Sequence, residues 1–134
     1  MARRVTLITG PPCAGKTTWA RDRAQPGDIV LDQDAIGAAA MSRGLDHVAA
    51  MTDGTAWVIR CCAGQHNRVR LAAQIRATDT VHLQPPAEVL LARARQRRHP
   101  ARHVQAVRQW LADEQAGGRA GTRGDPQHVE RTAW

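Results

Sequence analysis

Apolar and polar positions along the chain alternate between two rhythms. Val5-Thr-Leu-Ile-Thr9, Asp28-Ile-Val-Leu31, Ala56-Trp-Val-Ile-Arg-Cys-Cys62 and Thr80-Val-His-Leu83 are short runs rich in aliphatic and β-branched residues. Runs of this length bounded by turn residues predict buried strands. Arg60 is out of place in the third of them and needs either an exit to solvent or a partner. Between the strands the spacing turns helical. A helix is expected over 17–24, before the turn Gln25-Pro-Gly-Asp28, and an Ala-rich one over 35–43. Gly44 to Asp53 predicts a further short helix or loop, with Asp46 in an N-cap position. Val69, Leu71, Ala72 and Ile75 put a helix over 65–77. Pro85-Pro86 opens another over 87–98. Pro100 interrupts it, and Val104, Val107, Trp110 and Leu111 share one face of a last helix over 102–115.

Strands alternating with helices predict an α/β fold, a parallel sheet of four to five strands with helices on both faces. Ligands of such sheets sit at the carboxyl ends of the strands. Residues 1–115 form the expected domain. Residues 116–134 are Gly- and Arg-rich without periodicity and are expected to be a flexible tail.

Composition narrows the class. The chain has 134 residues, of which 43% are hydrophobic, enough for one core. No apolar run approaches the ~18–20 residues of a membrane span, and the start of the chain is too short in apolar residues for a signal peptide. Three cysteines, two of them adjacent, make neither a disulfide framework nor a CxxC metal site. The expectation is a reduced, cytoplasmic setting without membrane contact. The net charge of +7 has two readings, a coding bias toward Arg or a polyanionic partner.

Among nineteen basic residues Lys16 is the only lysine. It stands in Gly10-Pro-Pro-Cys-Ala-Gly15-Lys16-Thr17, the GxxxxGK[ST] pattern, between a predicted strand and a predicted helix. Gly10 and Gly15 let backbone amides approach phosphate oxygens, and the helix start adds its donors and dipole. Pro11 and Pro12 lack an N–H, so the donors run from Cys13 through Ala14 and Gly15 to Thr18. Lys16 is expected to reach the β- and γ-phosphates of ATP, and Thr17 to offer its hydroxyl to Mg²⁺. Asp32 and Asp34 follow the second strand. If the strand persists, both face one side, Asp32 toward Mg²⁺ and Asp34 toward an acceptor hydroxyl; either one also suits a helix N-cap.

The loop running into Thr-Trp-Ala-Arg21, followed by Leu31-Asp-Gln-Asp34, resembles the phage-type polynucleotide 5′-kinases. The resemblance implies a P-loop kinase fold, ATP and Mg²⁺ as cofactors, and transfer of the γ-phosphate to the 5′-hydroxyl of DNA or RNA. Asp34 matches the base that activates this hydroxyl. Arg93 and Arg97, four apart, match the arginines of a short lid that closes on the triphosphate. Two positions depart from the family pattern. Gly37 stands where the acceptor-binding arginine is usual, with Arg43 or Arg60 as substitutes. Cys61-Cys62 stands where the third strand usually ends in Asp. Two alternatives therefore stay open, a kinase of a small molecule or nucleoside, and a nucleotide-binding protein or weak ATPase without transfer. His99 and His103 have metal-ligand spacing but are separated by Pro100, and read as surface or lid residues.

Overall fold

The structure, a computed structural model, describes residues 2–120 and 131–132. The strands are β1 (Arg4–Thr9), β2 (Ile29–Asp32), β3 (Thr55–Arg60), β4 (Asp79–His82) and β5 (Arg131–Thr132). The helices are α1 (Lys16–Arg21), α2 (Gln33–Ile36), α3 (Ala38–Ala50), α4 (Gln65–Gln74), α5 (Ala87–Arg95) and α6 (Pro100–Ala120). The strands form one parallel sheet in the order β2-β3-β1-β4-β5. β1 is central, and Val5, Leu7 and Ile8 are essentially unexposed because helices cover both faces.

Alternate residues of the strands feed two cores. On one face Val5, Leu7, Ala56 and Val58 meet Met41, Leu45 and Val48 of α3 and Leu71, Ala72 and Ile75 at α4. On the other, Ile8, Ile59 and Val81 meet Ala20 of α1, Leu90 and Ala94 of α5 and Val107 of α6. Arg3 ties the first face together: its guanidinium donates to the carbonyls of Val48, Ile75 and Arg76, where two helices end and carbonyls outnumber the backbone donors.

Several expectations need correction. Gly44 does not end a helix. α3 runs through it, because a Cβ there would lie 2.8 Å from Leu31 and the missing side chain lets the helix settle on β2. Asp46 is thus an interior residue and not a cap. The break falls instead at Gly37, whose φ of 83° separates α2 from α3. The third strand stops at Arg60, leaving Cys61 and Cys62 in the following turn. Pro100 is the first residue of α6, where a missing N–H costs nothing. α6 then continues to Ala120, beyond position 115. The flexibility expected of the tail concerns mainly residues 121–130 and 133–134, which lie outside the described residues. Among the described residues no helix is long and apolar enough to cross a membrane.

The length of α6 matters because it lies along the carboxyl edge of the sheet. Its Trp110 stacks on His82 at the end of β4, with centroids 5.8 Å apart, and donates to the Cys61 carbonyl at 2.7 Å. One turn on, Glu114 accepts two hydrogen bonds from Arg68 at 2.6 and 2.9 Å and one from the Gly64 amide at 2.6 Å. Gly117 then passes so close to Gly64 that a Cβ would sit 2.6 Å from its Cα. Burial pushes the Glu114 carboxyl up, but Arg68 and the Gly64 amide outweigh this and hold it below its ordinary range.

Replacing Glu114 with Gln takes from Arg68, 5% exposed, the carboxylate of this ion pair. We expect a loss of about 2–3 kcal/mol at pH 7, measured by urea unfolding. A depressed carboxylate contributes stability above its unfolded pKa and loses it as pH falls through the folded one. The native protein should therefore weaken below about pH 4 and the Glu114→Gln variant less steeply, so that their curves converge in acid.

Candidate active site

The turn after β1 is built from backbone conformations that most residues avoid. Gly10 has φ 151° and would place a Cβ 2.1 Å from the Leu83 carbonyl, so no side chain fits between the loop and the end of β4. Cys13 has φ 69° and Gly15 φ 90°. Left-handed residues set among right-handed ones turn successive amides toward one point, a concavity suited to an anion. Cys13 adopts this conformation without being glycine, at an expected cost of about 1–3 kcal/mol, while its side chain is buried in the second core. Its carbonyl accepts from Arg93 at 3.1 Å, which anchors α5 to the loop.

Lys16 is 8% exposed, and its ammonium donates to the carbonyls of Gly10 at 2.9 Å and Pro11 at 2.7 Å. The Cys61 thiol completes its surroundings at 3.5 Å. The charge is thus fixed by the loop it serves and does not swing in solvent. Next to it, the Thr17 hydroxyl donates to Asp32 Oδ2 at 2.6 Å. A hydroxyl and a carboxylate are hard oxygen donors of the kind Mg²⁺ takes, so this pair fits the ion.

Asp32 has a second task. Its Oδ1 accepts from the Asp34 amide at 3.2 Å and caps α2. The extended pattern therefore does not persist beyond Asp32, which corrects the expectation that the two aspartates share one side of a strand. Asp34 stands in the first turn of α2 and is exposed. It still lines the same cavity, because the turn of α2 occurs at the carboxyl edge of the sheet.

That cavity, about 360 Å³, brings together Cys13, Ala14, Gly15, Lys16, Thr17, Thr18, Asp32, Asp34 and Arg97. Gly10 lies behind it, holding Lys16 through its carbonyl. Arg93 lines an adjoining cleft with Trp19, Arg23, Leu83 and Arg97, where the Arg23 guanidinium covers the Trp19 ring at 3.7 Å. Arg97 borders both spaces from the four-residue connection between α5 and α6. Among the described residues no group of three or more His, Cys, Asp or Glu side chains is placed to hold a metal ion.

Three features complete this site: two residues that the sequence named without fixing their place, and one contact that it missed. His103 lines the cavity from the first turns of α6, which became possible once Pro100 started that helix. Arg60 also lines it, at the end of β3. The third feature is the support from α6 through Trp110 and Glu114. A signal for it existed: Arg68 falls three and four residues before Leu71 and Ala72, a lone charge on the buried face of α4.

The chain is similar in structure to a sugar kinase from Janibacter sp. HTCC2649 solved without ligand, with a TM-score of 0.63 and 22% identity over 98% of this chain and 84% of that one. It is also similar to the shikimate kinase of Acinetobacter baumannii solved in complex with shikimate, with a TM-score of 0.53 and 20% identity over 98% of this chain and 85% of that one. These likenesses show a shared fold, the α/β fold of P-loop NTPases in its kinase-like form. No curated protein sequence matches the chain. Residues 5–78, from the central strand through the loop and Asp32–Asp34 to the residue before β4, match the AAA domain family over more than half of the length, and the chain belongs to that family.

Proposed function

We propose that the protein is a Mg²⁺-dependent phosphotransferase that moves the γ-phosphate of ATP to a hydroxyl group, with the 5′-hydroxyl of a polynucleotide as the acceptor. The observation that carries this reading is one shared cavity for the anion-binding loop, Lys16, the Thr17–Asp32 pair, Asp34 and Arg97. An anion cradle alone needs no carboxylate facing it. A carboxylate within reach of the cradle, but unpaired with its lysine, suits a proton acceptor.

In this reading the amides from Cys13 to Thr18 and the Lys16 ammonium hold the triphosphate. The nucleoside half lies toward Trp19, Leu83 and Arg93 in the adjoining cleft. Thr17 and Asp32 hold Mg²⁺, which when bound neutralises charge on the phosphate oxygens. The acceptor oxygen attacks the γ-phosphorus, the bond to the ADP oxygen breaks, and the hydroxyl proton passes to Asp34. Arg97 covers the charge that spreads over the γ-phosphoryl oxygens. ADP and the phosphorylated acceptor are the products.

A small-molecule acceptor is the second reading. Gly37 favours it, since no arginine stands there to grip an acceptor phosphate. The two structural neighbours named above are a sugar kinase and a shikimate kinase. Label transfer from γ-³²P-ATP to a 5′-hydroxyl oligonucleotide, in competition with nucleosides and sugars, separates the readings. ATP binding without transfer to any acceptor would leave a nucleotide-binding protein.

Lys16→Ala is expected to abolish transfer and weaken ATP binding in calorimetry, with the fold checked by circular dichroism. Unchanged turnover would refute the nucleotide assignment. Asp34→Asn should bind ATP normally and lose transfer by at least ~100-fold. Equal activity in that variant would move the base elsewhere.

A further inference from the structure

A second groove, of about 740 Å³, continues from the cavity just described; Arg60 and Cys62 line both spaces. It runs between α4 and the C-terminal part of α6, past Asn67, Arg70 and Gln74 on one side and Asp113, Ala116 and Gly117 on the other. Its volume is about twice that of the cavity. An acceptor no larger than a sugar would leave it unused.

The chemistry of the walls is selective. Arg60 is half-buried at the end of β3, and neither it nor Arg70 makes an ion pair or side-chain hydrogen bond among the described residues. Removing a guanidinium partly from water without a partner is unfavourable unless a ligand completes the arrangement. The one large apolar wall residue, Leu71, is 5% exposed and offers little surface. Among the described residues no aromatic ring lines the groove. Two guanidinium groups with two amides match phosphodiester oxygens and base edges; they do not match an apolar ligand. One carboxylate, Asp113, opposes this, held at the far wall by a hydrogen bond from Gln109 at 2.8 Å.

We infer that this groove is the path of the acceptor strand, with Arg60 at the first phosphate after the reacting 5′-hydroxyl and Arg70 at a following one. The inference rests on the phosphotransfer reading and deepens it: the acceptor is a single-stranded polynucleotide and not a free nucleoside or sugar. Arg60 takes the role left open by Gly37, from a different strand end. With no ring to stack on among the described residues, the groove grips the backbone and tolerates any base. The +7 charge of the chain is then a means of drawing the strand in.

The test uses the full chain and a pentathymidylate with a free 5′-hydroxyl and a 3′-fluorophore. Binding is read by anisotropy at several salt concentrations, and transfer from labelled ATP is read with the oligonucleotide and with thymidine. Arg70→Glu is expected to raise the oligonucleotide Kd and KM at least ~10-fold, leave kcat and the ATP KM in place, and lower the salt slope by about one. Gln74→Glu, another exposed groove position, should act in the same direction, and Asp113→Asn should tighten binding. Arg108→Glu, which carries the same charge change outside the groove, sets the non-specific baseline.

Arg70→Glu matching Arg108→Glu in every constant would overturn the inference. So would an absence of oligonucleotide binding at low salt, or thymidine serving as well as the oligonucleotide; in this last case the kinase reading stands and the groove assignment alone falls. Binding that Arg70→Glu weakens, with no transfer to any acceptor, would support the groove and overturn the kinase reading.

Discussion

Arg68 is 5% exposed, and a guanidinium that deep must be paired or the fold loses several kcal/mol. Glu114 pairs it with two hydrogen bonds and takes the Gly64 amide as well. Such a pair adds little net stability over an apolar one of similar volume. Its effect is positional. It fixes α6 against the turn that follows β3, on the side of the sheet opposite to where the helix starts. Because α6 begins immediately after the connection carrying Arg97, the same contact sets where that arginine and His103 stand over the cavity. Trp110 adds a second point of attachment, to His82 and to the Cys61 carbonyl. The roof of the site is thus tied to the ends of β3 and β4 before any ligand arrives.

Beneath that roof the loop after β1 is held in a costly shape. Cys13 occupies a left-handed conformation that glycine would adopt without strain. What the residue gains is burial: its side chain joins Ile8, Ala14 and Val81 in the second core. The loop is thereby anchored by packing on one side and by Arg93 on the other. A stiff cradle loses less freedom when an anion binds, which favours affinity. Lys16 follows the same logic, with its ammonium held by carbonyls of its own loop.

The order of strands and helices was legible because a buried parallel sheet demands continuous apolar runs, and these stand out between turn residues. The phosphate loop was legible because its glycines, lone lysine and threonine form a pattern with one chemical purpose. What was not legible depended on contacts between distant segments. Gly44 reads as a helix breaker until Leu31 of β2 is seen to occupy the space of its missing Cβ. Pro100 reads as an interruption until α6 is seen to start there. Asp32 and Asp34 read as neighbours on a strand, whereas the capping hydrogen bond of Asp32 turns the chain into α2 between them. Each miss is a local preference overridden or redirected by tertiary packing.

That cap also couples two parts of the site. One oxygen of Asp32 holds the Thr17 hydroxyl, the pair proposed above for the metal ion, and the other holds the amide of Asp34. The carboxylate thereby fixes the distance between Thr17 at the loop and Asp34 in α2. Lengthening β2 by one residue would lose the cap and send Asp34 along the strand direction. The short helix α2, ended at once by Gly37, keeps Asp34, the proton acceptor of the proposed reading, at the sheet edge. Gly37 has no side chain with which to grip an acceptor, whereas Arg60 at the end of β3 borders both the cavity and the groove beyond it. The absence of an arginine at position 37 and an arginine at position 60 with no partner among the described residues are, in this geometry, two aspects of one arrangement.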